Sequence, residues 1–171
     1  MTSFIRFIPT PEECVNGFFA IAPVTADDVV FDLGSGDGRL LFGALRAGAG
    51  RAVGIELDPE LVKKATDEAR RRGLEDRVTF RNEDILEADL TGATLVLCYM
   101  SSRASEALKP KLKAELRPGT RVVMEGFPIH GWTPVQVGGP GGLGGLADFF
   151  DFQQLYLYVM PPAPASGSQE S

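Results

Sequence analysis

Residues 29–38, VVFDLGSGDG, form a short apolar run that ends in an acid and continues into glycines at alternate positions. A run of this kind, rich in β-branched and aromatic residues, is typical of a strand that is buried on both faces of a parallel sheet. Glycines directly after the strand let the backbone turn tightly and approach a ligand closely. The stretch therefore predicts an α/β fold with a ligand-binding turn after its first strand.

The spacing of the glycines distinguishes between two kinds of ligand. Dinucleotide-binding folds use G-x-G-x-x-G, whereas Gly34, Gly36 and Gly38 form G-x-G-x-G. Asp32 and Asp37 flank these glycines with negative charge, which repels a diphosphate and attracts cationic groups. The turn is therefore predicted to bind an adenosine-like ligand with a cationic substituent rather than a dinucleotide.

Two further acids follow strand-like runs. Residues 52–56 form an apolar run that ends in Glu56, where α/β nucleoside binders place an acceptor for ribose hydroxyls. Residues 78–84 form the next run, and Asp84 beyond its end is placed to accept a hydrogen bond from an adenine amine. Three predicted strand ends thus carry acids that suit one nucleoside ligand.

The DLGSGDG run at 32–38, together with Glu56 and Asp84, resembles the motifs of the class I S-adenosyl-L-methionine (SAM) methyltransferases. The resemblance implies SAM as cofactor, with its methionine portion at the glycine turn, its ribose at Glu56 and its adenine at Asp84. It also implies a Rossmann-like α/β fold: a doubly wound, mainly parallel seven-stranded sheet with a C-terminal antiparallel hairpin. The cofactor contacts implied in this way are Asp32, Gly34, Ser35, Gly36, Asp37, Glu56, Leu57, Asp84, Ile85 and Tyr99.

The composition fits a single domain. The chain has 171 residues, of which 44% are hydrophobic, and no stretch approaches the ~18 apolar residues of a membrane span. One histidine and two cysteines make no metal-ligand cluster, so no metal is expected. We expect one SAM-binding domain over residues 1–160 with a lid or helix segment at 1–25, a disordered tail at 161–171, and a reducing, cytoplasmic location.

The charge of the chain bears on its partners. A net charge of −6 and an isoelectric point near 4.8 argue against nucleic acid, because binding to phosphates needs a basic surface. The basic run 70–72 is explained by its place at the end of a helix, where the dipole favours cations and Gly73 provides the stop. We therefore expect a protein or small-molecule acceptor and a monomer or homodimer.

The other predicted elements alternate as a parallel sheet requires. Helices are predicted around residues 40–45, from Asp58-Pro59 onward, and around 108–116, where Pro110 is expected to break or restart the helix. Further strands are predicted near 93–99, 120–125, 132–137 and 149–159, with a glycine-rich connection between the last two.

A narrower resemblance rests on the segments 7–11, 111–123 and 127–134, which read FIPTP, KLKAELRPGTRVV and FPIHGWTP. They resemble the archaeal broad-specificity protein lysine methyltransferases and their mitochondrial relatives that modify inner-membrane proteins. In that group the first segment lies over the cofactor, which makes Phe7 and Thr10 candidate lid residues.

The acceptor side of the site is predicted from chemistry. A lysine must lose its proton before it attacks a methyl group, and Tyr99 and Glu125 are ranked first for holding the amine, because strand ends face the crevice in such sheets. His130 is a third catalytic candidate, although a histidine in such a loop more often lies at the surface.

The archaeal enzymes carry a Ser-His-Asp-Phe type of sequence where this chain has 124–127, MEGF, and the Asn/Asp-Pro-Pro-Tyr signature of enzymes that methylate amide or base nitrogens is absent. We therefore favour N-methylation of protein lysines. The alternatives are methylation of a small molecule, and SAM binding without transfer.

Overall fold

The computed structural model describes residues 12–139 and 154–164. The lid candidates Phe7 and Thr10, the first part of the predicted strand 149–159 and most of the tail lie outside the described residues. The strands are β1 (Val29–Leu33), β2 (Arg51–Glu56), β3 (Val78–Asn82), β4 (Leu95–Tyr99), β5 (Arg121–Glu125), β6 (Trp132–Thr133), β7 (Gln136–Gly138), β8 (Leu155–Val159) and β9 (Ala163–Pro164). The helices are α1 (Glu12–Ile21), α2 (Arg39–Arg46), α3 (Pro59–Arg71) and α4 (Ser102–Glu115).

Within these residues, seven strands form one sheet in the order β3-β2-β1-β4-β5-β8-β7. Neighbouring strands from β3 to β5 are parallel, whereas β8 is antiparallel to both β5 and β7. The doubly wound sheet with an antiparallel C-terminal hairpin is therefore confirmed. The order reverses between β1 and β4, and open α/β sheets bind ligands outside the carboxyl ends of the strands at such a point.

Two buried clusters occupy opposite faces of the sheet. On one face, α1 and α2 pack against strand residues that include Val30 and Leu97. On the other face, α4 packs against strand residues that include Phe31 and Cys98. Because side chains alternate along a strand, residues two positions apart share a face, and this decides which side chains meet at the carboxyl edge.

The expected break at Pro110 was wrong, because α4 runs through it. Leu108 and Leu112 are both fully buried, and a continuous helix is needed to place both in the core. The proline removes the donor to the carbonyl of Glu106, but both residues are exposed, so water can satisfy that carbonyl. Core packing on both sides of the proline therefore outweighs its local cost.

The expectation of disorder from residue 161 onward was wrong for the first residues of the tail. Ala163 and Pro164 form β9, which pairs antiparallel with β6. The two-residue strand β6 offers backbone groups that the tail can pair with, a long-range contact that composition does not reveal. Within the described part of the chain, no helix is long and apolar enough to cross a membrane.

The amino edge of the sheet is held by a polar network around Asp28. Its carboxylate accepts hydrogen bonds from the Thr94 hydroxyl at 2.7 Å and from the Thr25 amide at 2.8 Å, and pairs with Arg121 at 2.7 Å. Burial opposes ionisation of Asp28, but these partners hold its pKa below the usual value. The network ties β1, β4 and β5 together at the end opposite the predicted site.

Candidate active site

Four side chains singled out in the sequence lie on one face of the sheet at its carboxyl edge: Asp32, Glu56, Tyr99 and Glu125. We call them the carboxyl-edge cluster. Asp32 pairs in register with Gly54 of β2 and Leu97 of β4. Glu56 and Tyr99 each follow these partners by two positions and so share their face, and Glu125 is the register partner of Tyr99. This is the face on which α1 and α2 pack.

Asp32 gives this edge its electrostatic character. Its side chain is only 3% exposed. Burial, reinforced by the negative charges of Glu56, Glu125 and Asp37, raises the pKa of Asp32 to about 8. Such a concentration of acids favours a cationic ligand, because a bound positive charge relieves the mutual repulsion of the carboxylates.

The carboxylate of Glu56 links the glycine turn after β1 to the start of α3. One of its carboxylate oxygens accepts a hydrogen bond from the Gly36 amide at 2.9 Å, and the other accepts one from the Asp58 amide at 3.0 Å. Asp58 in turn caps α3 by accepting from the Glu60 amide at 2.9 Å. A carboxylate oxygen has more than one lone pair, so Glu56 can also accept from ligand hydroxyls.

The turn after β1 requires its glycines. Gly34, Gly36 and Gly38 have φ angles of 86°, 54° and 83°, in the left-handed region that favours glycine. A Cβ atom at Gly38 would lie 2.5 Å from the Phe80 ring, whereas one at Gly34 would meet nothing within 4 Å. The turn therefore fits tightly against the sheet at Gly38 and presents bare backbone to open space at Gly34.

Ser35 points away from that open space. Its side-chain oxygen is buried, lies 2.6 Å from where a Cβ of Gly54 would be, and has no hydrogen-bond partner among the described residues. The Ser35 amide donates to the carbonyl of Ile55 at 3.0 Å. Sequence reasoning could not show that this hydroxyl faces the sheet.

Asp37 forms a close ion pair with Arg39, the first residue of α2. The guanidinium donates to both carboxylate oxygens, at 3.0 Å from Nε and 2.6 Å from Nη2. Burial opposes ionisation of Asp37, but the hydrogen bonds and the charge of Arg39 hold its pKa below the usual value. Asp37 is therefore a carboxylate at neutral pH, and its charge is partly balanced.

A cleft lies beyond the ends of β2 and β3, and its walls include Leu57, Asn82 and Asp84. Leu57 is a large apolar side chain that is 62% exposed beside these polar groups, an arrangement suited to packing against a flat ring. Asp84 accepts from the Leu86 amide at 2.9 Å, and Ile85 between them packs partly against the core. Asp84, which the sequence assigned to the adenine, thus shares one cleft with Leu57, another implied cofactor contact.

Tyr99 and Glu125 are the last register pair of β4 and β5. Tyr99 is 39% exposed, whereas Glu125 is 5% exposed. A solvent-facing phenol therefore stands beside a carboxylate that is largely withdrawn from water, on the same face as Asp32.

His130 is not brought to the cluster. Its side chain is exposed, and its carbonyl accepts a hydrogen bond from Lys109 in the middle of α4. Since α4 packs on the opposite face of the sheet, His130 lies beside that helix. Its neighbour Trp132 is buried, with its ring 5.8 Å from that of Tyr158, in a packing role.

The thiols and the possible metal ligands of the described residues bear on the chemistry of the site. Cys14 and Cys98 are buried and are not in a disulfide, and burial raises the pKa of Cys98 above its usual value, so its thiolate is not available as a nucleophile. Among the described residues, no group of three or more histidine, cysteine or acidic side chains could hold a metal ion.

Comparison with known proteins decides between the kinds of nucleoside binder that such a site could represent. A family model described as the ANTKMT methyltransferase domain matches residues 32–136. The chain belongs to this methyltransferase family. A protein-lysine N-methyltransferase of Saccharolobus islandicus (strain REY15A) is 39% identical over 134 residues, which cover 78% of this chain and 83% of that protein.

Other relatives are longer. The adenine nucleotide translocase lysine N-methyltransferase of Mus musculus is 39% identical over 64% of this chain and 48% of its own length. A lysine N-methyltransferase of Homo sapiens, named for an ATP synthase subunit, is 34% identical over 80% of this chain and 58% of its own length. The chain thus spans about half the length of these two relatives.

A solved structure extends the likeness to the whole fold. It is described as an RNA methyltransferase from Salinibacter ruber in complex with S-adenosyl-L-homocysteine, with 36% identity and a TM-score of 0.82, covering 95% of this chain and 100% of that one. The chain with the printed sequence is therefore a class I SAM-dependent methyltransferase, and SAM is its cofactor. The bare glycine turn, the acids beside it and the apolar Leu57 fit that cofactor.

Proposed function

We propose that this protein transfers the methyl group of SAM to the side-chain amine of lysine residues in other proteins. The observation that carries the proposal is the pairing of buried Glu125 with exposed Tyr99 at the same edge and on the same face as Glu56. An acceptor amine between this pair and the glycine turn would face the cofactor. The names of the relatives from Saccharolobus islandicus, mouse and human support a lysine acceptor.

We assign the cofactor side to the turn 34–37, to Glu56 and Leu57, and to Asp84 and Ile85. The turn would receive the methionine portion, Glu56 the ribose hydroxyls, and the cleft at Leu57 and Asp84 the adenine. Asp32, buried behind the turn with a pKa of about 8, is mostly protonated at neutral pH without SAM, and a bound sulfonium would favour its ionised form. The lid residues Phe7 and Thr10 stay part of the proposal on the strength of the sequence resemblance.

Bound SAM would supply a methyl group attached to a positively charged sulfur. This sulfur is a good leaving group, because it becomes a neutral thioether when the methyl group is transferred. The chain has to bring a neutral amine into line with that methyl carbon and keep water away. Glu125 would attract the lysine ammonium and accept a hydrogen bond from it, and the Tyr99 hydroxyl would orient the nitrogen. The ammonium proton passes to Glu125 or to water before the N–C bond forms and the S–C bond breaks.

The charges of the surface favour a protein acceptor over RNA. The basic residues at the end of α3 are engaged in ion pairs, with Arg71 and Arg72 at 2.5 and 2.6 Å from Glu68. The net charge of −6 and the acids at the carboxyl edge repel phosphates and attract a lysine. RNA is nevertheless one arm of the test, because the Salinibacter ruber protein is described as an RNA methyltransferase.

The remaining parts of the proposal concern organisation and location. We propose one domain over residues 1–160, extended by β9, because β1 to β5 and β8 contribute to the buried clusters and β7 pairs with β8. The strand β9 pairs with β6. We also propose a cytoplasmic monomer or homodimer, in keeping with two buried cysteines that are not in a disulfide.

The test is to incubate the purified protein with methyl-labelled SAM and a host-cell lysate, and to count label in protein, RNA and small-molecule fractions. Label that resists nuclease and is released by protease supports the proposal. Label that is released by nuclease would replace lysine with an RNA acceptor. Label only among small molecules would favour a metabolite acceptor, and tight SAM binding with no labelled product would contradict transfer.

A further inference from the structure

Asn82, the last residue of β3, holds the end of the neighbouring strand β2. Its side-chain amide donates hydrogen bonds to two successive backbone carbonyls, those of Glu56 at 3.0 Å and Leu57 at 2.8 Å. We propose that Asn82 is a positioning residue for SAM, because it fixes the peptide that carries both the ribose acceptor and the apolar wall of the adenine cleft. The inference rests on the cofactor roles proposed above for Glu56 and Leu57.

The geometry explains why an asparagine suits this place. Asn82 and Glu56 are the last register pair of β2 and β3, so the sheet no longer fixes the chain beyond them. Asparagine has a short side chain that ends in an amide with two N–H donors. The amide nitrogen of Asn82 donates to both adjacent carbonyls. The peptide between Glu56 and Leu57 is thereby held from the side of β3.

This hold is transmitted to the rest of the cofactor side. The Glu56 carboxylate accepts from Gly36 in the turn after β1 and from Asp58 at the start of α3. Asn82 therefore completes a chain of hydrogen bonds that links the carboxyl ends of β1, β2 and β3. A shift of the peptide after β2 would move the Glu56 carboxylate and the exposed Leu57 side chain together.

A purely structural role is the competing explanation, and exposure argues against it. Asn82 is exposed and lies in the wall of the cleft, so it buries little surface, and water can satisfy the two carbonyls if the amide is lost. Loss of Asn82 should therefore loosen the binding geometry more than it destabilises the fold.

The experiment compares Asn82→Ala with the isosteric Asn82→Asp. The aspartate keeps the shape but turns acceptor oxygens toward two carbonyl oxygens, so it should be the more harmful change. We expect the Kd for S-adenosylhomocysteine, measured by calorimetry, to rise about fivefold in Asn82→Ala and about tenfold or more in Asn82→Asp. We expect kcat at saturating SAM, the KM of the acceptor and the Tm to change little.

Asn16→Asp is the matched control, since Asn16 is the only other asparagine and is exposed on α1. The negative charge that Asn82→Asp adds attracts the sulfonium of SAM, whereas S-adenosylhomocysteine has no sulfonium. The affinities for both ligands are therefore compared, because loss of the positioning role weakens the binding of both. Asn82 variants that bind both ligands like the wild type would overturn the inference. A lower Tm with unchanged affinities would likewise overturn it, because it would show a purely structural role.

Glu56→Gln, measured alongside, separates this inference from the proposed function. If Glu56→Gln weakens the binding of both ligands while the Asn82 variants do not, the positioning role of Asn82 is wrong and the proposed cofactor role of Glu56 is supported. If neither change weakens binding, the proposed roles of both residues are wrong. Weakening in both supports the chain of hydrogen bonds described above.

Discussion

The backbone amide of Gly36 donates a hydrogen bond of 2.9 Å to the carboxylate of Glu56, which joins the turn after β1 to the end of β2. The two residues are 20 positions apart, and each belongs to a different motif of the SAM-binding resemblance. Their contact means that the methionine and ribose parts of the proposed site are one connected structure. A change at either residue should therefore be felt across the cofactor side.

The first prediction concerns this contact. Glu56→Ala removes the acceptor of the Gly36 amide and the proposed acceptor of the ribose hydroxyls. We expect the Kd for SAM, measured by calorimetry, to rise about tenfold or more, because hydrogen bonds to a charged group are lost. Glu75→Ala, an exposed acid at the opposite edge of the sheet, is the control and should bind normally. Unchanged affinity in Glu56→Ala would contradict the assignment of the ribose.

The second prediction concerns the acceptor side. Glu125→Gln keeps the shape of a buried side chain and removes its negative charge. We expect kcat to fall by about 10²–10³-fold if Glu125 holds and deprotonates the amine, while the Kd for S-adenosylhomocysteine stays within about twofold. Glu75→Gln serves as the matched control. A normal kcat in Glu125→Gln would remove Glu125 from the mechanism.

The third prediction uses the raised pKa of Asp32. Its pKa is about 8 in the folded protein and about 4 in the unfolded chain, so between these values the unfolded chain binds fewer protons. Stability from this group is therefore full below pH ~4 and is lost as the pH rises toward 8. Asp32→Asn should have a higher Tm than the wild type near pH 8, and the difference should shrink toward pH 4.

Thermal unfolding across that pH range is the measurement, with SAM absent. Asp76→Asn, which changes an exposed acid in the loop before β3, should show no such trend. A difference between Asp32→Asn and the wild type that stays constant with pH would contradict the raised pKa.

The fourth prediction concerns the glycine turn. Gly38→Ala places a Cβ 2.5 Å from the Phe80 ring in a residue with φ of 83°, whereas Gly73→Ala has a φ of 65° and an open environment. The left-handed backbone costs about 1–2 kcal/mol in both variants, and overpacking adds about 1–3 kcal/mol in Gly38→Ala alone. Urea unfolding should show a larger loss of unfolding free energy in Gly38→Ala than in Gly73→Ala. Equal losses in the two variants would contradict the prediction, because they would mean that the Phe80 ring moves aside at no cost in free energy.

Much of the fold follows from local sequence signals. The first five strands lie where short apolar runs are found, and α3 begins at Asp58-Pro59, because an N-cap followed by a first-turn proline acts through neighbouring residues alone. The continuity of α4 through Pro110 did not follow, since it depends on Leu108 and Leu112 reaching one core. Local propensity was outweighed there by contacts distant in sequence.

The candidate site divides in the same way. Its acids could be predicted because they follow apolar runs in order, and parallel strands bring their carboxyl ends to one edge. The orientation of Ser35 and the bonds made by Asn82 could not, because both depend on the register of β2 against its neighbours. The placement of His130 beside Lys109 likewise depends on how α4 packs against the loop after β5.

The most direct test of the central claim is to identify the methylated atom. Protein labelled by the purified enzyme would be digested and its peptides sequenced by mass spectrometry, with Glu125→Gln as the matched sample. We expect one or more methyl groups on lysine side-chain nitrogen, in peptides that the Glu125→Gln variant methylates about 10²–10³-fold more slowly. Methyl groups on glutamine, arginine or carboxylate side chains, or none on protein at all, would contradict it.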